Sequence, residues 1–173
     1  VNHLTERLIY TKEDGGVAIV TSTGEVPEEV LITKVVPEGV DHEIISINAL
    51  PADRTFRNAW EKDDNSVTVN MTKAIVIAQD IVRVSRDARL IELDVLVMRA
   101  DEDDNTELKA SIIRDKIALR DITANTRLAD ATNEVDLKNG VESLLTLVRI
   151  LGAIHNAPEA ARVTPLAVFP PIP

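Results

Sequence analysis

The sequence contains no cysteine and only four aromatic residues, Tyr10, Phe56, Trp60 and Phe169. Without a thiol there is no disulfide, no thiolate zinc site and no cysteine nucleophile. With so few rings, the core of any fold has to be aliphatic. Positive charge is scarce as well: 19 Lys and Arg against 29 Asp and Glu leave a net charge of −10. That balance repels phosphate backbones and anionic lipid heads, so neither a nucleic-acid nor a membrane partner is expected. The first residues, Val1-Asn2-His3-Leu4-Thr5-Glu6-Arg7, hold no basic stretch followed by an apolar block, and no export signal is read there. The most apolar stretch, residues 141–154, is interrupted by Glu142 and Arg149 and falls short of the ~20 residues a membrane span needs. What is present is a 45% share of hydrophobic residues in 173, enough to build the core of one soluble domain or two small ones.

The first 70 residues alternate short β-like runs with turn signals. Leu8-Ile9-Tyr10 and Val17-Ala18-Ile19-Val20 flank Glu13-Asp14-Gly15-Gly16, where glycine supplies the positive φ of a tight hairpin. Pro27-Glu28-Glu29 suits a helix first turn, because proline has no N–H to leave unpaired and the acids meet the positive end of the dipole, so a helix is expected over residues 27–35. Val36-Pro37-Glu38-Gly39 stops it. Residues 43–48 alternate as a strand does, and a further strand pair is expected from residues 55–60 with 67–70.

From Thr72 the period changes to seven. Ala74, Ile77, Ile81, Val84, Ala88, Ile91, Val95 and Met98 keep an unbroken three-four spacing, which predicts a long helix capped by Asn70 or Thr72. Asp80, Asp87, Asp94 and Asp101 recur beside that seam. Val76, Val82, Leu90, Leu93, Leu96 and Val97 lie off it, so the helix carries enough apolar surface for more than one neighbour. The run Asp101-Glu102-Asp103-Asp104-Asn105 ends it, and Asn105 or Thr106 caps a second helix to about Leu119, with Leu108, Ile112 and Leu119 on one face. Asp121-Ile122-Thr123-Ala124-Asn125 reads as a break, residues 126–131 and 133–138 as a turn or two of helix each, and Asn139-Gly140 as a boundary. Residues 141–155 form an amphipathic helix candidate with Val141, Leu144, Leu145, Val148, Leu151 and Gly152 close in projection, and the proline-rich ending reads as an extended arm. The expected class is α+β: a small β-rich α+β module over 1–70, a long helix and helical hairpin over 71–138, and a C-terminal helix with an extended arm over 139–173.

Candidate chemistry is sparse. Asp101, Asp103, Asn105 and Glu107 match the opening oxygen ligands of a calcium-binding loop, but Thr106 stands where that loop needs glycine and Ile112 where it needs a bidentate Glu. A solvated interhelical turn is the better reading, with a weak cation site as its alternative. His3, His42 and His155 lack metal-ligand spacing, no Gly-x-Ser-x-Gly turn occurs, and Gly15-Gly16 has no following Lys-Ser/Thr. No catalytic, cofactor or metal residues are assigned, and the expectation is a protein that is not an enzyme. Asp53-Arg54-Thr55-Phe56-Arg57-Asn58-Ala59-Trp60 concentrates two aromatics and two arginines. Stacking and phosphate contacts are one reading. The favoured one has Phe56 and Trp60 closing a core while Arg54 and Arg57 pair with local acids.

That segment, with Leu8-Ile9-Tyr10, Gly15-Gly16-Val17-Ala18-Ile19-Val20, Val69-Asn70-Met71-Thr72-Lys73-Ala74, Leu119-Arg120-Asp121-Ile122-Thr123 and Leu137-Lys138, resembles a group of small tail-associated and tail-fibre assembly proteins of tailed bacteriophages and prophages. The resemblance covers residues 8–138 and implies a tail context without catalytic residues; from Asn139 onward the chain departs from it. It implies a virion component of the tail, baseplate or fibre attachment, made in the host cytoplasm and contacting other tail or fibre proteins. The alternative it implies is an assembly chaperone absent from the finished particle. Contact candidates are Ile77, Ile81, Val84, Ile91 and Val95 on the seam, Leu144, Leu145, Val148 and Leu151 on the last helix, and Phe169 on the arm. The seam predicts a homo-oligomer, trimeric as tail fibres often are, unless the 108–119 helix covers it within the chain.

Overall fold

The computed structural model describes residues 5–122 and 127–156; the expectations placed on His3, on residues 123–126, on Phe169 and on the proline-rich arm lie outside them. The architecture is α+β. Strands β1 (Glu6–Thr11) and β2 (Val17–Val20) form the expected hairpin, helix α1 (Glu28–Val35) follows, and β3 (His42–Ser46) returns to β1. The strand order is β2-β1-β3, antiparallel throughout. Its register pairs Ile9 with Ile19, Thr11 with Val17 and Arg7 with Ile45. Odd-numbered residues of all three strands therefore share one face, as the two-residue side-chain period requires. On that face Ile9, Val17 and Ile45 join Trp60 and Val67 in one buried cluster, with Ile19, Ala49, Leu50 and Val69 packed against it. Burial of each such side chain stabilises the fold by ~1.5–3 kcal/mol.

The second hairpin is displaced from its expected place. Strands β4 (Trp60–Asp63) and β5 (Ser66–Val69) pair around Asp64 and Asn65, with Asn65 at φ 54°, a conformation asparagine tolerates. Residues 57–59 are a 3-10 turn instead of strand. The cause is local: the Asp53 carboxylate accepts hydrogen bonds from Thr55 N (2.8 Å) and Thr55 Oγ1, and Ala59 N donates to Phe56 O (2.8 Å), which curls the segment before it reaches the sheet.

Helix α2 (Met71–Glu102) is one continuous helix, with Lys73 N donating to the Asn70 side chain at its start. After a turn in which Asp104 takes φ 53°, α3 (Thr106–Asp121) begins with the Asn105 side chain accepting from Leu108 N. Ion pairs Asp101–Lys109 and Asp94–Lys116 set α3 antiparallel to α2, which is the expected hairpin. Residues 127–130 form turns and no helix. Helix α4 (Glu134–Ile150) then runs straight through Asn139-Gly140, where a boundary was expected. Gly140 is buried, and a Cβ there would stand 3.0 Å from Leu128 Cδ2. This glycine serves close packing, at the cost of some helix propensity.

Two compact units result: residues up to 78 with 130–138, and residues 79–129 with those from 139 on. They cut across α2 and α4, whereas the sequence reading divided the chain at 70 and 138. Periodicity marks where helices begin and end, while compactness depends on which chain segments pack together.

Candidate functional site

In the first unit the aromatic-rich segment is a structural anchor. Phe56 and Ala59 are fully buried, and Trp60 nearly so. Besides the two Thr55 bonds, the Asp53 carboxylate accepts a hydrogen bond from Lys138 Nζ at 2.5 Å, and this bond ties the segment to the start of α4. These contacts, the Lys138 bond foremost, hold the Asp53 carboxyl well below the usual carboxylate range. Glu134, one turn earlier, is pushed the other way by burial and by the Asp53 charge, and its Oε1 has no hydrogen-bond partner among the described residues. The expected pairing of Arg54 and Arg57 with local acids does not occur: both are exposed and make no side-chain ion pair among the described residues, since Asp53 is taken by a lysine. The positive role in this segment falls to Lys138, whose place in the sequence, 85 residues away, gave no sign of it.

Elsewhere in this unit Lys62 bonds Asp41 (2.9 Å) and Glu43, lowering both carboxyls and raising its own ammonium. Lys73 reaches Glu61 at 2.7 Å. Such surface pairs add at most ~1 kcal/mol each.

In the second unit α2 turns its off-seam residues inward. Val82, Leu93 and Ala100 are buried, and Leu90, Leu96 and Val97 half-buried; Ile112, Leu119, Ile122, Leu128, Val141, Leu144 and Val148 are the other buried apolar side chains among this unit's described residues. The heptad seam is left outside from its middle onward: Val84 is 72% exposed, Ile91 67%, Val95 45% and Met98 63%. Ile81 is half-buried, and so, in the first unit, is Ile77. Of the other contact candidates, Leu145 and Leu151 are half-buried, while Leu144 and Val148 are core residues and no contact face. The physical reason is that α4 has one apolar face, and the chain's own helices bury it. On α3, Ile113 (40% exposed) and Ile117 (51%) add apolar surface on the outer side.

At the end of α4 the chain turns through Gly152, at φ 77°, into a 3-10 turn, Ala153–Asn156. Gly152 N donates to Asp115 Oδ2 (2.8 Å), and the same oxygen lies 2.9 Å from Nε2 of the buried His155. Arg89 Nε donates to the Leu151 carbonyl at 2.8 Å. Two polar groups at this helix end, the Leu151 carbonyl and the Gly152 N–H, thus find partners on α2 and α3. His155 also lines a cavity of about 240 Å³ with Leu96, Arg99, Ala100, Asp103, Leu108 and Ile112. A histidine and a carboxylate are brought together, and among the described residues no hydroxyl lines the cavity beside them, an arrangement suited to fastening helices. This pair was not foreseen, because 40 residues separate its members.

In the acidic turn Asp101 is engaged by Lys109 and Asn105 by its capping bond. Among the described residues no three His, Asp or Glu side chains converge as metal donors, and no helix is long and apolar enough to cross a membrane. No family model, curated protein or solved structure matches the chain.

Proposed function

We propose that this chain is a bacteriophage tail-associated structural protein, a component of the tail, baseplate or fibre attachment that acts through protein–protein contacts and not as an enzyme. One observation carries the reading beyond the sequence resemblance: the stripe of Val84, Ile91, Val95 and Met98 on α2, each between 45% and 72% exposed. The fourteen steps from Val84 to Met98, at ~1.5 Å rise each, make it about 21 Å long. Apolar surface arranged in a line on a rigid helix is characteristic of interaction sites. On this reading the stripe packs against other tail or fibre proteins or against copies of the same chain, as in a trimer. Mass spectrometry of purified particles tests the placement, with the chain expected at stoichiometric abundance. Its absence from mature virions, with presence in assembly intermediates, would sink the structural role in favour of an assembly chaperone. Sedimentation of the purified chain at micromolar concentration tests the self-association: a monomer in which Ile91→Glu changes nothing removes the homo-oligomer from the proposal.

A further inference from the structure

Strand β2 lies at the edge of its sheet and, among the described residues, pairs only with β1. Lys12 N donates to Gly16 O (2.8 Å), and the register then runs Thr11↔Val17, Tyr10↔Ala18, Ile9↔Ile19 and Leu8↔Val20. In an antiparallel ladder the bonded pairs alternate, so Ala18 and Val20 spend their backbone groups on β1. The N–H and C=O groups of Val17 and Ile19 therefore point away from the sheet. An open edge of this kind is a template for another strand.

A groove of about 650 Å³ follows that edge, lined by β2 itself and by Tyr10, Lys12, Asp14, Arg57, Asn58 and Lys73. Its ionic lining is three cations to one anion, in a chain whose net charge is −10. Lys12 is paired with Asp14 (2.8 Å) and Lys73 with Glu61 (2.7 Å). Arg57 is the exposed guanidinium that has no ion pair among the described residues, held at the groove by the 3-10 turn whose next-but-one residue, Ala59, is fully buried. A fork of N–H donors in that position matches a carboxylate.

We infer that this groove binds an extended acidic segment of another protein, which adds a strand to β2 through Val17 and Ile19 and places a carboxylate against Arg57. Strand addition gives affinity through main-chain bonds, and the groove charge selects the sequence. The site stands whether or not the protein remains in the finished virion.

The test uses the full chain, labelled with ¹⁵N, and three probes: a synthetic heptapeptide alternating threonine or valine with aspartate, its twin with lysine for aspartate, and inorganic phosphate. The acidic peptide is expected to shift the Val17 and Ile19 amides and protect them from hydrogen exchange. Arg57→Gln is expected to weaken its binding about tenfold, the loss of one charge-assisted pair; because Arg57 is exposed, the variant's unchanged circular dichroism serves as the folding control. Arg57→Glu is expected to turn preference toward the lysine twin. Equal binding of both peptides overturns the charge selection. Shifts at Arg57 and Lys73 with no protection of Val17 and Ile19, reproduced by phosphate alone, reduce the groove to an anion site. Concentration-dependent protection of the same amides without any peptide assigns the edge to a second copy and overturns the proposal.

Discussion

The two compact units solve the same shortage of aromatic residues in opposite ways. The first concentrates what there is: Phe56 and Trp60 sit in its interior, and Trp60 joins side chains from β1, β2, β3 and β5 in one cluster. The described residues of the second contain no Phe, Tyr or Trp. It packs aliphatic stripes against small residues, with Gly140 against Leu128 and Gly152 against Leu93. A large ring fills a core from a single position, so few other residues have to face inward. Helices held by thin aliphatic stripes need close approach, and they leave apolar residues over. The contact surface we propose is that remainder.

Four measurements break or sharpen this contrast. Trp60→Ala removes the largest buried side chain of the first unit and is expected to cost ~3–5 kcal/mol in denaturant unfolding. An effect below 1 kcal/mol would show that the cluster is not organised around the ring. Gly152→Ala is the corresponding blow to the second unit, since an added Cβ collides with Leu93 and the φ of 77° disfavours any side chain. A loss of more than ~1 kcal/mol is expected, and thermal melting with no shift would refute the close approach.

Glu134→Gln is expected to act more mildly, and with a pH signature. The folded state raises this carboxyl above its ordinary value of 4.5, so wild-type stability falls as pH rises through the window above 4.5. The Gln variant is therefore the more stable at neutral pH, and the gap closes as pH drops below the ordinary carboxylate range. Asp53, lowered mainly by its bond to Lys138, has the opposite sign: its contribution is present above its ordinary range and is lost as pH falls. A Glu134→Gln advantage that persisted unchanged at low pH would refute the assignment to ionisation. Smallest of all, Ile91→Ser on the exposed stripe is expected to leave monomer stability within ~0.5 kcal/mol. A larger loss would mean that the seam is covered within the chain.

The fold was legible wherever the signal was local. The Gly15-Gly16 hairpin, the Pro27 helix start, the Asn70 and Asn105 caps and the helical hairpin all follow from residues within a few positions of one another. The candidate sites were legible only in part. The seam residues were found, yet their burial was not, because periodicity says that a stripe exists and not which stripe the neighbouring helices cover. Gly140 misled for the same reason: a glycine signals a helix end locally and a close contact only in three dimensions. The partners of Asp53 and His155 were invisible because they come from 85 and 40 residues away.

By itself, the sequence determined an acidic, aliphatic α+β protein with a long helix, because composition, turn chemistry and hydrophobic period act over short stretches of chain. Only the tertiary structure decided that α2 spends its off-seam residues on the core and keeps Val84, Ile91, Val95 and Met98 outside. It alone set Arg57 beside the open edge of β2. Both outcomes depend on which surfaces meet when distant segments pack, a competition among apolar faces that no local pattern encodes.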